Sequence, residues 1–188
     1  MSPPQDVGSE PDRHLVHVVQ GSHHVTGDHG VVLSTILGSC VAACVWDPVA
    51  RVGGMNHFLL PEAPDNGAGD RRYGVQAMEL LINGLLQLGA RRERLEAKVF
   101  GGARMTVGFS DIGAKNAEFV RRFLRDEEIR LVAESLGGDQ ARRLHFTPTT
   151  GRASQHLVRD PAVMARERVL TRPAPAAANS TGDLELFS

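Results

Sequence analysis

The sequence predicts an α+β fold, in which mixed and antiparallel β-sheets are layered against two main helices. Short β-rich segments come first as a group. A helix, a strand and a second helix follow, and further strands end the patterned region. This order lacks the regular strand–helix alternation of a parallel α/β sheet. The chain has 188 residues, of which 41% are hydrophobic and 23% charged, so it can form one domain with its own core.

The most apolar stretch of the chain runs from Val31 to Pro61 and is expected to contribute three strands. They cover Val31–Ile36, Val41–Trp46 and Val52–Leu60. The second is apolar at nearly every position, which predicts a strand that is buried on both faces. A further strand is expected over His14–Val19, followed by turns at residues 21–24 and 27–30.

Two later segments have the apolar periodicity of amphipathic helices. The first runs over Arg71–Leu88, with Asp70 as its expected N-cap and Gly89 at its C-terminal end. The second runs over Gly113–Glu127. The remaining strands are expected over Glu96–Phe100, Ile129–Leu136, Leu144–Thr147 and, at a sheet edge, Ala153–Val158.

Composition divides the chain into one patterned domain and two polar ends. Residues 1–13 predict a disordered lead, residues 14–160 a single domain, and residues 161–188 a mostly disordered tail. The net charge is −1 and no apolar run reaches the ~18 residues of a membrane helix. These features argue against nucleic-acid binding and membrane insertion. The N-terminus lacks the pattern of a signal peptide, which favours the cytoplasm.

The stretch from Val31 to Pro61 also contains a cysteine and a histidine that can form a catalytic pair. Cys40 follows Gly38-Ser39, and His57 comes seventeen residues after it. On neighbouring antiparallel strands these positions can lie side by side, where an imidazole would activate the thiol. The backbone N–H groups of Gly38, Ser39 and Cys40 could bind an oxyanion. The alternative is that Cys40 is a small buried side chain, which is the preferred interpretation for Cys44.

Four histidines near the N-terminus form the other notable cluster, but they do not predict a metal site. They lack the carboxylate or cysteine partners and the spacing of structural zinc ligands. The double glycines at 101–102 and 137–138 lack the lysine–serine pair that follows a phosphate-binding loop. We therefore expect no metal and no other cofactor. The clustered histidines, interpreted as solvated turn residues, are His17, His23, His24 and His29.

Several blocks of the chain, in order, resemble the CheD family, the chemoreceptor glutamine deamidases of bacterial chemotaxis. The blocks are Leu37–Ala42, Gly53–Pro61, Lys98–Ala103, Ile112–Asn116, Ala133–Gly138 and Thr149–Arg152. The resemblance covers about His14 to Val158, which is far more specific than a lone Gly-Ser-Cys. It implies an α/β/β sandwich similar in fold to toxin deamidases, with one catalytic domain over residues 14–160.

The resemblance also implies a Cys-His-Thr/Ser catalytic arrangement. The cysteine nucleophile of the family falls on Cys40 and its histidine on His57. The third member, a threonine in the strand before the cysteine, falls on Ser34 in ungapped register, with Thr35 as the alternative. Ser34 is preferred because an even offset keeps it on the Cys40 face of an extended chain.

The implied reaction is hydrolysis of glutamine side chains on chemoreceptors to glutamate, through a thioester on Cys40. A glutamate methyl ester presents the same carbonyl, so receptor methylesterase activity is implied as well. The implied partners are the cytoplasmic helices of chemoreceptors and a CheC-type phosphatase. The alternative hypothesis is a non-catalytic adaptor that binds and regulates such a phosphatase or the receptors.

Overall fold

The structure, a computed structural model, describes residues 14–60, 68–105 and 112–158. The predicted disordered lead and tail lie outside the described residues. Neither long helix in the described part of the chain combines the length and the apolar character that a membrane span requires.

In the described residues, nine strands form two β-sheets. They are β1 (His14–His17), β2 (His23–Thr26), β3 (Val31–Leu37), β4 (Val41–Asp47), β5 (Val52–Asn56), β6 (Glu96–Gly101), β7 (Arg130–Leu136), β8 (Ala141–Thr147) and β9 (Arg152–Val158). One sheet has the order β1-β3-β8-β9 and the other the order β2-β5-β4-β6-β7. The pairs β1–β3 and β6–β7 are parallel and the other neighbours are antiparallel, so both sheets are mixed.

The helices lie on one side of the two sheets. They are α1 (Ala68–Gln87) and α2 (Ile112–Asp126), with a short 3₁₀ helix at Arg92–Arg94. Their apolar residues form one core with the outer face of the five-stranded sheet. The inner face of that sheet packs on the four-stranded sheet in a second core. This helix–sheet–sheet layering confirms the predicted α+β fold.

The central strand β4 contributes to both cores. Val41, Ala43 and Val45 point towards the helices, and the alternate residues Ala42 and Cys44 point towards the four-stranded sheet. Each of these five residues is fully buried. The continuous apolar run therefore follows from the position of β4 in the middle layer, where both faces of a strand lose contact with water.

The structure differs from the prediction at one strand and at several boundaries. β2 was not predicted, and its first two residues were assigned to the turn at residues 21–24; the strand pairs antiparallel with β5 at the sheet edge. α1 begins at Ala68, so Asp70 lies within the helix and is not its N-cap. β8 begins at Ala141, before the predicted Leu144, because pairing to β3 and β9 continues through its two arginines.

β5 ends at Asn56, before the predicted end at Leu60, because an asparagine side chain takes over the strand pairing. Asn56 Oδ1 accepts a hydrogen bond from the backbone N–H of Ala43 at 3.0 Å, and its Nδ2 donates to Ala77 O at 3.0 Å. Backbone pairing resumes beyond it as one bridge between Val41 and Phe58. That bridge determines the positions of the residues beside it.

Candidate active site

Strand pairing brings Cys40 and His57 to the same face of the middle layer. Val41 and Phe58 exchange two backbone hydrogen bonds of 2.9 Å each, so His57 lies opposite Ala42 and diagonal to Cys40. Side chains on opposed residues of an antiparallel pair point to the same side. Diagonal neighbours are roughly 7–8 Å apart, within reach of longer side chains. Both side chains therefore face the four-stranded sheet.

On that opposite sheet, β3 presents Thr35 to the histidine. Thr35 Oγ1 lies 2.8 Å from His57 Nδ1 and donates its own hydrogen to Val18 O at 2.8 Å. Because the hydroxyl hydrogen is engaged with Val18 O, the hydrogen between Thr35 and the ring belongs to Nδ1. His57 then carries its lone pair on Nε2. Nε2 is buried and has no hydrogen-bond partner in the described structure.

The structure places Thr35, and not the preferred Ser34, against His57. Ser34 Oγ is buried and has no hydrogen-bond partner in the described structure. The even-offset argument fails because the chain leaves one sheet at the end of β3 and enters the other at the start of β4. The loop between them, residues 38–40, does not preserve strand alternation across the change of sheet.

Burial keeps His57 neutral. Only 5% of the surface of this residue is exposed. Burial lowers the pKa of His57 to about 4, although the nearby carbonyl of Val18 acts to raise it. At neutral pH the imidazole is therefore a free base, with Nε2 able to accept a proton.

This neutral imidazole makes the stability of the fold depend on pH. The unfolded chain protonates His57 near its ordinary pKa of 6.5, and the folded chain only near 4. Between these values the unfolded state binds more protons, so acidification lowers the free energy of unfolding. We expect a loss of about 3 kcal/mol between pH 6.5 and pH 4 from this group. Urea denaturation at a series of pH values measures it, and His57→Gln should remove that component. An unchanged pH dependence in the variant would contradict the assignment.

The loop of residues 38–40 is held through its carbonyl groups. Gly102 N donates to Cys40 O and Ala103 N donates to Gly38 O, both at 2.8 Å. A β-carbon at Gly101, whose φ is +111°, would lie 2.1 Å from Cys40 O, so only glycine fits there. Outside the regular elements, no backbone hydrogen bond between described residues is donated by the N–H of Gly38 or Ser39.

Asn116 is a buried residue of the site that the sequence alone did not single out. From the first turns of α2, its Nδ2 donates to Ser39 O at 2.9 Å and its Oδ1 accepts from Leu60 N at 2.9 Å. It therefore ties the cysteine loop to the chain just after His57. The only signal in the sequence was its place in the block Ile112–Asn116.

The segment after β1, residues 18–22, lies against the site, although it was predicted as the end of a strand followed by a turn. Gly21 N donates to His57 O at 2.7 Å, and His57 N donates to Ser22 O at 3.0 Å. Between these anchors and Val18, the Gln20 side chain accepts a hydrogen bond from Cys40 Sγ at 3.3 Å. No motif in the sequence pointed to Gln20.

The second cysteine has a different environment. Cys40 and Cys44 are both reduced thiols, and both are fully buried. Cys44 lies within β4 with its side chain in the core between the sheets, and burial raises the pKa of its thiol although Lys98 acts to lower it. A thiol held protonated in this way is a poor nucleophile.

Comparison with known proteins finds similarity to one family. The family model described as "CheD chemotactic sensory transduction" matches residues 59–156, more than half of the chain. A protein of Caulobacter sp. (strain K31), named "Probable chemoreceptor glutamine deamidase CheD", is 56% identical over 92% of this chain and 92% of its own length. The chain belongs to the CheD family. The resemblance seen in the sequence blocks is thereby confirmed.

Other CheD proteins are similar over most of their length. The Sinorhizobium medicae (strain WSM419) protein is 57% identical over 85% of this chain and 88% of its own. The Agrobacterium fabrum (strain C58) protein is 53% identical over 92% of this chain and 96% of its own. Both have the same name as the Caulobacter protein.

Two solved structures are distantly similar to this CheD chain. They are the hypothetical protein YfiH of Bacillus licheniformis, with a TM-score of 0.43 and 12% identity, and protein NMB0706 of Neisseria meningitidis, with a TM-score of 0.45 and 10% identity. The matches cover 68% and 67% of this chain, and 61% and 64% of those proteins. The chain thus spans less than two thirds of each.

Proposed function

We propose that this protein hydrolyses glutamine side chains of chemoreceptors to glutamate, and is thus a protein-glutamine glutaminase. The observation that carries the proposal is the hydrogen bond between Thr35 and His57. It gives the imidazole the tautomer of a general base on the strand face that also bears Cys40. Membership of the CheD family and the names of its 51–57% identical relatives support the substrate class.

The first half of the reaction forms a thioester. Cys40 Sγ attacks the carboxamide carbon of a receptor glutamine while its proton passes to His57 Nε2. The carbonyl oxygen becomes an oxyanion, and the N–H groups of Gly38 and Ser39 are the backbone donors available to it. His57 then gives the proton to the amide nitrogen, the C–N bond breaks and ammonia leaves.

The second half restores the enzyme. His57, neutral again, takes a proton from a water molecule that attacks the thioester carbon. The C–S bond breaks, the proton returns to Cys40, and the product is a glutamate side chain. A glutamate methyl ester would undergo the same two half-reactions, with methanol as the leaving group. No resident metal or cofactor takes part in this scheme.

The test of the proposal is direct conversion of a receptor. The protein is incubated with a purified cytoplasmic domain of a chemoreceptor, and the receptor peptides are followed by mass spectrometry. We expect specific glutamines to gain the mass that distinguishes glutamate, with an oxygen atom from isotopically labelled water. The same receptor without the protein measures spontaneous deamidation. Methyl-esterified receptor tests the esterase reaction under the same conditions.

The outcome also separates the enzyme from an adaptor. Binding of the receptor without conversion of any glutamine would overturn the proposal and favour the non-catalytic hypothesis. Binding to a CheC-type phosphatase can be measured in parallel by calorimetry. Such binding is compatible with an active enzyme, so only the missing conversion decides against it.

The roles of Thr35 and Ser34 are separated by matched substitutions. Thr35→Val keeps the shape but removes the hydroxyl that orients His57, and we expect kcat to fall on the order of 10²-fold. Thr35→Ser restores a hydroxyl and should recover most of the rate. Ser34→Ala, whose oxygen bonds to nothing in the described structure, should stay within a few-fold of wild type by the same measurement of kcat. The reverse pattern would return the third role to Ser34.

A further inference from the structure

Gln20 is an exposed residue whose polar end reaches a buried thiol. Cys40 has no exposed surface, whereas Gln20 lies in the exposed segment after β1. Cys40 Sγ donates to Gln20 Oε1 at 3.3 Å. A primary carboxamide therefore lies within hydrogen-bond distance of the atom that starts the reaction. The scheme described so far gives this carboxamide no role.

The backbone on both sides of Gln20 is fixed to the catalytic residues. On one side, Val18 N donates to Ser34 O at 2.9 Å, and Val18 O accepts the hydroxyl of Thr35. On the other side, the Gly21 and Ser22 backbone exchanges hydrogen bonds with His57. A residue held between two such anchors has a defined position relative to the thiol. Its carboxamide can therefore act repeatedly in one geometry.

The hydrogen bond from the thiol to Gln20 exists only before reaction. Once Sγ is bonded to the substrate carbon, it has no hydrogen to donate. A carboxamide has donors on Nε2 as well as an acceptor on Oε1, and the two ends exchange by rotation about one bond. The oxyanion of the tetrahedral intermediate forms on an atom one bond away from the carbon that Sγ attacks. A donor beside Sγ is then beside the oxyanion as well.

We propose that Gln20 is a catalytic residue that donates a hydrogen bond from its side-chain Nε2 to the oxyanion of the intermediate. This inference rests on the proposed function. Gln20 acts together with the backbone N–H groups of Gly38 and Ser39, so that the intermediate is held by side-chain and backbone donors. Its carboxamide accepts from the thiol in the resting enzyme and donates to the oxygen after attack. No covalent bond to Gln20 is made or broken.

The competing interpretation is that Gln20 merely covers the thiol. The two differ in what happens when the carboxamide is removed. If Gln20 only covers the thiol, removing its carboxamide exposes Cys40. Alkylation by iodoacetamide then becomes faster, and kcat is unchanged or higher. If Gln20 donates to the oxyanion, removing its carboxamide leaves substrate binding intact but slows the attack of Sγ on the substrate carbon. Loss of one such donor lowers kcat on the order of 10²–10³-fold in enzymes of this kind.

The experiment compares Gln20→Ala and Gln20→Glu with wild type in the receptor deamidation assay. We expect kcat to fall on the order of 10²-fold in Gln20→Ala with KM changed only a few-fold. Gln20→Glu should fall at least as far, because a carboxylate has no donor and repels an oxyanion. The matched control is Val19→Ala, which shortens an exposed side chain next to Gln20 without touching the thiol. It should retain most of its kcat.

Two results would overturn the role of Gln20 and leave the proposed function intact. The first is wild-type kcat in Gln20→Ala while Cys40→Ala is inactive. The second is conversion of Gln20 itself to glutamate in the active purified enzyme, since a glutamate cannot donate. If wild type converts no receptor glutamine, the proposed function has failed and the role of Gln20 fails with it.

Discussion

We expect replacement of Cys40 by alanine to abolish receptor deamidation and the same replacement at Cys44 to leave it nearly intact. Without Sγ the thioester cannot form, so ammonia release through this intermediate is lost. We therefore expect the rate to fall by roughly 10³-fold or more, to the level of the receptor alone. Conversion of receptor glutamines, followed by mass spectrometry, measures it.

Cys44→Ala is the matched control because it removes the same sulfur from a buried position four residues further along the chain. Cys44 is as buried as Cys40 and belongs to the same core between the sheets, but it pairs opposite Met55 and burial raises the pKa of its thiol. Removing its sulfur leaves a small cavity and costs about 1 kcal/mol of stability. Its kcat should stay within a few-fold of wild type. Loss of activity in Cys44→Ala, with activity retained in Cys40→Ala, would show that the nucleophile is Cys44 and not Cys40.

Replacement of His57 by glutamine lowers kcat by roughly 10³–10⁴-fold. Glutamine can still meet Thr35 with a hydrogen bond, but it cannot take the thiol proton or return it to the leaving nitrogen. The loss should appear in both halves of the reaction. A burst of ammonia release in rapid-quench kinetics would show that only the second half is impaired, which would contradict the role of His57 in the first attack.

The same residue determines the acid side of the pH–rate profile. Burial holds the pKa of His57 at about 4, so the free enzyme keeps its base well below the ordinary histidine value of 6.5. We expect kcat/KM to decline only as the pH falls below about 5. His156→Gln, which changes an exposed histidine of β9, is the control and should leave the profile unchanged. A decline centred near pH 6.5 would show that the active enzyme does not hold His57 as described.

Much of the layered fold followed from local patterns. The apolar run of β4 predicted a strand buried on both faces, and the two helical periods predicted both long helices. These signals are strong because each arises from the burial of a whole face. The short β2 was missed since half of its residues are histidine and its stability comes from pairing with β5, which no local pattern records.

The site was predictable in its parts but not in its geometry. Strand parity connected Cys40 and His57 correctly, as both lie along one antiparallel pair. The same parity favoured Ser34, whereas the side chain that contacts His57 is that of Thr35, which approaches from the other sheet. Asn116 and Gln20 are distant in sequence from what they contact, so only the folded chain brings them together.

The assignment of β3 to the four-stranded sheet has a consequence for how the protein is made. By residue 57 a ribosome has already produced Thr35, Cys40 and His57. Thr35, however, is held on β3 by pairing with Leu144 of β8, which is synthesised about ninety residues later. A nascent chain therefore contains Thr35, Cys40 and His57 long before folding can bring them together. The thiol becomes competent only when the last part of the domain has emerged and docked.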